Sequence, residues 1–448
     1  MKSHASMNRI YRLVWNHALG VMVAVAENAK GRGKSSTSRG LVAGAVALTG
    51  GLFLTPFAQA GPTGGQVSAG SCSIAQAGLN TTITQTSQNL AIIWQGFNIA
   101  ANESVRFNQP NTSSIVLNRV IGQDPSQILG SLSANGQVFV INPNGVLFGA
   151  NAQVNVGGLV ATTLNLSDAD LLAGRYVFDS SSRSVDGAVV NKGSLTAAQG
   201  GYIALLAPEV RNEGVISATL GTALLAAGNK VTLNLNSGSL LGYSIDQGAI
   251  NALADNKQLI QADGGQVFMS AKAADALSTA VVNNTGILQA RTVQNVAGVI
   301  KLVGDMDHGT VNVDGTLDAS APSTGNGGFI ETSAAHVKAA DSARVTTLAA
   351  NGLNGTLTIT SAPITANGVP PVVATAIAAL PGGSNAHLVD AYKVAIAEPS
   401  HALIPASNKT VKTNTTVNPD KPQNQQGTLT VVNEGLRLPE GLPPLSAL

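Results

Sequence analysis

Six times between Asn155 and Ala319 the chain runs through one short block: a corner residue, Gly two positions on, then Leu or Ile, then Ala. The copies are Asn155-Gly157-Leu159-Ala161, Asn191-Gly193-Leu195-Ala197, Asn212-Gly214-Ile216-Ala218, Asp246-Gly248-Ile250-Ala252, Asn284-Gly286-Leu288-Ala290 and Val313-Gly315-Leu317-Ala319. Gly marks the corner, and the alternate aliphatic and Ala positions fall on one side of the strand that follows. Successive glycines lie 36, 21, 34, 38 and 29 residues apart, which fits one or two coils per step with some loops. A second block, Gly followed by an apolar run, starts at Gly201, Gly265, Gly298 and Gly328. Fixed short blocks at loose spacing mark a solenoid, in which each coil buries its inward face against its neighbours. With charged residues at 11%, aromatics at 4% and 49 Gly, the chain is poor in the charge that amphipathic helices need on their outer face. The expected fold is all-β: a right-handed parallel β-helix with Leu, Ile, Val and Ala in inward rows and Asn at corners hydrogen-bonded from coil to coil. Coils of about 22 residues over 74–361, at about 4.8 Å per strand, predict a rod roughly 60 Å long. A β-sandwich or propeller would space its strands more evenly.

Residues 126–163 (SQILGSLSANGQVFVINPNGVLFGANAQVNVGGLVATT) show how such a coil turns. Val138-Phe139-Val140-Ile141 reads as a buried strand. Asn142-Pro143-Asn144-Gly145 then reads as a type I turn, with Asn first, Pro second and Gly fourth, and Val146-Leu147-Phe148 follows as a second apolar run. These residues alone leave a β-helix corner and an ordinary hairpin both open. Together with residues 87–99 (SQNLAIIWQGFNI), 105–110 (VRFNQP) and 116–121 (VLNRVI), however, the stretch resembles the N-terminal secretion domain of the filamentous haemagglutinin family. Members of that family are the exported partners of two-partner secretion systems in Gram-negative bacteria. The resemblance covers residues 74–166 and rests on an ordered series of uncommon blocks. It implies a parallel β-helix, recognition in the periplasm by a dedicated outer-membrane β-barrel transporter, and folding outside the cell. Asn142, Pro143, Asn144 and Gly145 match the family's Asn-Pro-Asn-Gly element, which is tied to secretion, so the resemblance makes them the candidate transporter-recognition motif. The family's Asn-Pro-Asn-Leu motif is not present; Ser87-Gln88-Asn89-Leu90 and Asn108-Gln109-Pro110-Asn111 only approach it.

The first sixty residues read as an address. Lys34 and Arg39 precede an apolar core at 41–54 (LVAGAVALTGGLFL), and Ala58-Gln59-Ala60 gives a small-x-small cleavage pattern, so cleavage is expected after Ala60. Fourteen residues with three glycines are too short for a membrane span, and no integral membrane segment is expected in the mature chain. Ahead of this core, residues 7–35 form a second basic and apolar block. It resembles the extended signal-peptide region of very large exported proteins, whose pattern begins Met-Asn-[Lys/Arg]-Ile-[Tyr/Phe]; this leaves Met1 and Met7 both open as the start. Without the leader the chain has 18 basic and 23 acidic residues and no basic stripe, which argues against nucleic acid as a partner. The single Cys72 excludes an internal disulfide, and it reads as an inert small residue.

The expected organisation is an extended signal region at 1–60, a secretion domain with its cap at 61–166, a β-helix continuation at 167–361 and a Pro-rich tail at 362–448. The cap is expected at 78–120, where Trp94, Phe97 and Phe107 read as packing residues before ligand-stacking ones. The tail holds 11 of the 18 prolines. It is expected to be partly disordered, with possible short helices at 372–380 and 387–397 and a polar linker at 409–426. A search for chemistry finds no catalytic residue, no metal site and no cofactor motif. Asp305, Asp307 and His308 in GDMDHGT form the one tight ionisable cluster of the rod and read as a solvated turn. The expectation is a secreted or surface-exposed, adhesin-like exoprotein whose partners are its transporter and a host-cell or bacterial surface receptor or glycan. A small secreted ligand binder, for example of haem proteins, and a β-helical polysaccharide-acting enzyme are the alternatives.

Overall fold

The computed structural model describes residues 61–361 apart from 181–186 and 341, together with five strands outside that range. The chain divides into two units, 1–57 and 58–448. In the first, Tyr11–Asn16 and Val21–Ala26 pair antiparallel, with Asn16 opposite Val21.

The second unit is the parallel β-helix expected from the repeats. Each coil lays strands on three faces. On the wide face ten strands stack among the described residues, from Asn89–Trp94 through Gln137–Ile141, Thr222–Ala227 and Gln266–Ala271 to Thr356–Ser361. On the third face eight strands stack, from Ser126–Ile128 and Val146–Phe148 to His336–Ala339. The second face carries short strands such as Val215–Ser217, Leu259–Gln261 and Ile287–Gln289, while Gln153–Thr162 and Ser194–Ala207 bend across two faces. Because Gln137–Ile141 pairs with wide-face neighbours and Val146–Phe148 with third-face neighbours, the turn between them is a coil corner and not a hairpin. At about 4.8 Å per strand the ten wide-face strands span roughly 45 Å, shorter than the 60 Å expected. Insertions lengthen the coils; one of them is the antiparallel pair Lys230–Asn236 and Ser239–Gln247.

The interior follows from the period of two. Leu195, Ile216, Ile260, Leu288, Leu317 and Val345 are in register on successive second-face strands, and all are fully buried. A buried side chain of this kind contributes about 1.5–3 kcal/mol. Four of the six sequence copies sit on this row. Asn155 and Asp246 do not: the rung between Asn212 and Asn284 is Asn256-Gln258-Ile260-Ala262, and Ile250 projects from a loop, 69% exposed. Glycine stacks where coil backbones touch; a Cβ on Gly265 would lie 2.1 Å from the Gly221 carbonyl oxygen.

The rod begins with antiparallel strands. Gln66–Ala69 pairs with Asn89–Trp94, and Cys72–Ala77 with Asn80–Gln85, after which pairing turns parallel. These strands lie N-terminal to most of the 78–120 segment expected to form the cap. Trp94 packs inside, 1% exposed, edge-to-face with Phe97 at 5.7 Å, and its indole N–H donates to Asn118 Oδ1 at 3.0 Å. Burial pushes the Cys72 thiol pKa up. Val372–Ile377 is a strand antiparallel to Thr356–Ser361 where a short helix was expected; Val372, Val373, Thr375 and Ile377 are β-branched and favour the extended form. Lys409–Val411 and Leu429–Val432 are also extended. The other helix expected at 387–397 and the rest of the polar linker lie outside the described residues.

Outside the wide face a three-stranded antiparallel sheet of Tyr176–Asp179, Lys230–Asn236 and Ser239–Gln247 lies over the early coils. It creates a second apolar layer in which Phe178, Val231 and Leu233 cover Phe139, Val160, Tyr202 and Leu224. Tyr202 is wholly buried, with its hydroxyl donating to Gln137 Oε1 at 2.5 Å, and burial raises its pKa well above the ordinary value.

Candidate functional site

The corner Asn142-Pro143-Asn144-Gly145 is a closed turn whose residues each have a structural reason. Gly145 N–H donates to the Asn142 carbonyl at 3.0 Å, and Pro143 supplies the fixed φ of the second position. Gly145 has φ +116°, a region closed to most L side chains. Asn142 is fully buried. Its Nδ2 donates to the Asp124 carbonyl and to Ser126 Oγ, both at 3.0 Å, and its Oδ1 accepts from the Asn144 backbone N–H at 3.0 Å. Asn144 Nδ2 donates to the Gly122 carbonyl at 2.9 Å. Both Asn side chains therefore staple the turn to the preceding coil. On the other side comes Gly187, where a Cβ would lie 2.6 Å from the Pro143 carbonyl oxygen. Gly122, Ser126 and Gly187 carry no local sequence signal, because each meets the turn from another coil.

Further along, the opposite edge of the third face, where its strands end, carries a buried amide ladder. Asn191 Nδ2 donates to Asn212 Oδ1, Asn212 Nδ2 to Asn256 Oδ1 and Asn256 Nδ2 to Asn284 Oδ1, each at 2.8 Å. The remaining N–H of Asn212 goes to its own Gly214 carbonyl at 3.0 Å. By register the ladder starts after Phe148 and ends before Val313. Outside it runs an ion-pair row in which Glu213 joins Lys192 at 3.4 Å and Lys257 at 2.9 Å. The hydrogen bond from Lys257 is the main cause that lowers the Glu213 pKa below 4.5. A depressed carboxylate contributes stability above its ordinary pKa and loses it as pH falls through the folded value. The expected result is that Glu213→Gln costs less than about 1 kcal/mol near neutrality and nothing once pH has fallen through the depressed folded value, which lies below 4.5. Paired urea titrations at the two pH values check it.

At the seam where the antiparallel sheet ends, a groove of about 330 Å³ opens between Tyr243, Ser244 and Ile245 on one wall and Val303 to Met306 on the other. Burial is the main cause that pushes the Tyr243 pKa up to about 12. Beside it, successive loops present Ile250, Leu277 and Met306 to solvent, with Leu277 97% exposed. Asp275 fixes the Leu277 loop by accepting from the Leu277 N–H at 2.9 Å and the Ser278 hydroxyl at 2.8 Å. Of the GDMDHGT cluster, Asp305 spends its carboxylate on the Asp307 and His308 N–H groups, both at 2.9 Å, as a turn does. Among the described residues no three His, Cys, Asp or Glu side chains gather as a metal site would require. Ala58 and Ala60 lie outside the described residues.

Parallel coils, an antiparallel start and a stapled Asn-Pro-Asn-Gly corner define a β-solenoid. Residues 58–319, more than half of the chain, match the TPS (two-partner secretion) secretion domain family, and residues 7–55 match the extended signal peptide of type V secretion systems. The chain belongs to the TPS secretion-domain family. It is a two-partner secretion exoprotein, exported through the periplasm to the cell exterior or surface. The chain is similar to two heme/hemopexin-binding proteins of Haemophilus influenzae, at 33% identity over 249 residues (54% of this chain, 27% of the relative) and 33% over 247 residues (50% and 26%). It thus spans about a quarter of the length of those relatives. It is also similar to the crystal structure of the HMW1 secretion domain from Haemophilus influenzae, with a TM-score of 0.53 and 27% identity over 64% of this chain and 84% of that one.

Proposed function

We propose that the exported chain is an adhesin-like binding protein and not an enzyme, and that its rod presents a macromolecule-binding surface at the corner of Ile250, Leu277 and Met306 and the groove beside them. One observation carries this reading: Leu277 stands almost wholly in solvent on a loop that Asp275 holds in a fixed turn, near a groove whose walls mix apolar Tyr243, Ile245, Val303 and Met306 with polar Ser270, Lys272 and Asp305. An apolar side chain held rigidly outward loses little freedom on binding and covers apolar area when a partner closes over it. Asn142, Pro143, Asn144 and Gly145 are proposed as the element on which the transporter's recognition depends. A second reading, in which the ligand is a haem-carrying serum protein, is favoured by the names of the two Haemophilus relatives.

The test immobilises exported protein and measures binding of hemopexin, of cultured epithelial cells and of purified surface polysaccharide. The paired sample carries Ile250→Asp with Leu277→Asp. Saturable binding to hemopexin or to cells that the double variant loses supports the corner. Equal binding by the variant removes this surface from the proposal, and shortening of the polysaccharide would replace binding with catalysis.

A further inference from the structure

We infer that the N-terminal end of the rod is a pairing surface for a second copy of this chain, through antiparallel addition of strand Cys72–Ala77 to itself. Among the described residues Gln66–Ala69 pairs only with Asn89–Trp94, and Cys72–Ala77 only with Asn80–Gln85. Each strand therefore leaves one edge of main-chain N–H and C=O groups without a β partner. Such an edge is a template for another strand, and proteins blunt it with charge, proline or a covering element.

Elsewhere this chain does so. Lys272 Nζ donates to the Ile245 carbonyl along the edge of Ser239–Gln247 at 3.1 Å. His336 and Lys338 lie on the last described strand of the third face, and Arg344 on the last of the second. Among the described residues at the N-terminal end, no charged side chain guards these strands; Pro62 and a bulge between Val67 and Ala69 lie at Gln66–Ala69, not on Cys72–Ala77. Residues 61–102 contain no Asp, Glu, Lys, Arg or His, and Glu103, the first charged residue, is 6% exposed with its carboxylate accepting from the Ala100 N–H. Val67, Ile74 and Leu79 are 44%, 40% and 42% exposed there.

The occupant such an edge selects is an uncharged strand, and the strand of that chemistry always at hand is its own copy. Antiparallel pairing about a two-fold axis needs one surface and closes on itself, so it yields a dimer and not a fibre. An axis at Ile74 sets the two Ile74 side chains directly opposite, about 5 Å apart at Cβ, with Cys72 facing Gln76. Two like charges at that position would oppose the pairing, and opposite charges would support it.

Sedimentation velocity on exported protein over a dilution series tests this. Wild type is expected to pass from monomer to dimer in the micromolar range, and Ile74→Lys and Ile74→Glu are each expected to weaken the dimer about tenfold or more. An equimolar mixture of the two variants should dimerise again, which misfolded protein would not do. Leu353→Lys, a change at a comparably exposed leucine (46%) far along the rod, should leave the equilibrium where it was. A wild type that stays monomeric throughout, or charge variants that dimerise like wild type, would overturn the proposal. So would an edge that gains amide protection only when the soluble periplasmic part of the transporter is added, since that assigns the edge to the transporter.

Discussion

Asn212→Ala is expected to lower the unfolding free energy by about 3 kcal/mol, read as a fall in the urea midpoint at unchanged slope. The side chain is wholly buried and sits in mid-ladder, accepting from Asn191 and donating to Asn256 at 2.8 Å each. Truncation strands the donor behind it and the acceptor ahead of it. A buried polar group left without a partner costs about 1–3 kcal/mol, far more than the net gain of one satisfied hydrogen bond. Asn191 Nδ2 retains only a long contact to the Val215 carbonyl at 3.4 Å, while its Oδ1 still accepts from the Gly193 N–H at 3.0 Å. The double variant Asn212→Ala with Asn256→Ala should cost clearly less than the sum of the singles, because the second change removes a group the first had already orphaned. Strict additivity would mean that the amides act alone and would sink the ladder account. The ladder also runs one way, each Nδ2 donating toward the C-terminal side. In a quasi-one-dimensional fold this makes each coil from Asn191 to Asn256 offer a donor that the next coil satisfies.

Much of this was legible in the sequence, and the exceptions share a cause. The Gly-x-[Leu/Ile]-x-Ala block found the inward row at Leu195, Ile216, Leu288 and Leu317 because a period of two is a local property. It failed at Asp246, where the letters of the block recur in a loop, and it passed over Asn256, where Gln258 stands in the glycine position of the corner. No local rule separates these cases; the 44 residues between Asn212 and Asn256 are explained only by the inserted antiparallel pair. The Asn-Pro-Asn-Gly turn was legible as a turn. Its stapling to Gly122 and Asp124 was not, since the partners arrive from an earlier coil. The antiparallel start was missed for the related reason that Gln66–Ala69 and Cys72–Ala77 lack the alternation of half-buried strands, being exposed on both faces.

Asn144→Ala with Gly145→Ala is expected to hold the chain in the periplasm and cut the exported amount by at least an order of magnitude, while wild type appears in the medium only when the transporter is co-expressed. Two physical effects must be told apart in that result. Ala at φ +116° is strained, and loss of the Asn144 bond to Gly122 loosens the corner, so the variant weakens the folded rod as well as altering the motif. Gly187→Ala separates them. Its Cβ would meet the Pro143 carbonyl at 2.6 Å, so it disturbs the same corner from the following coil and leaves all four motif residues in place. If the transporter reads the motif in the chain before the corner has formed, Gly187→Ala destabilises the purified protein yet is exported at close to the wild-type level. Retention of Gly187→Ala as complete as that of the double variant would instead place the requirement in assembly of the corner. The motif would then serve secretion by closing a coil whose burial draws the chain outward, and its four residues would cease to be a recognition element in their own right.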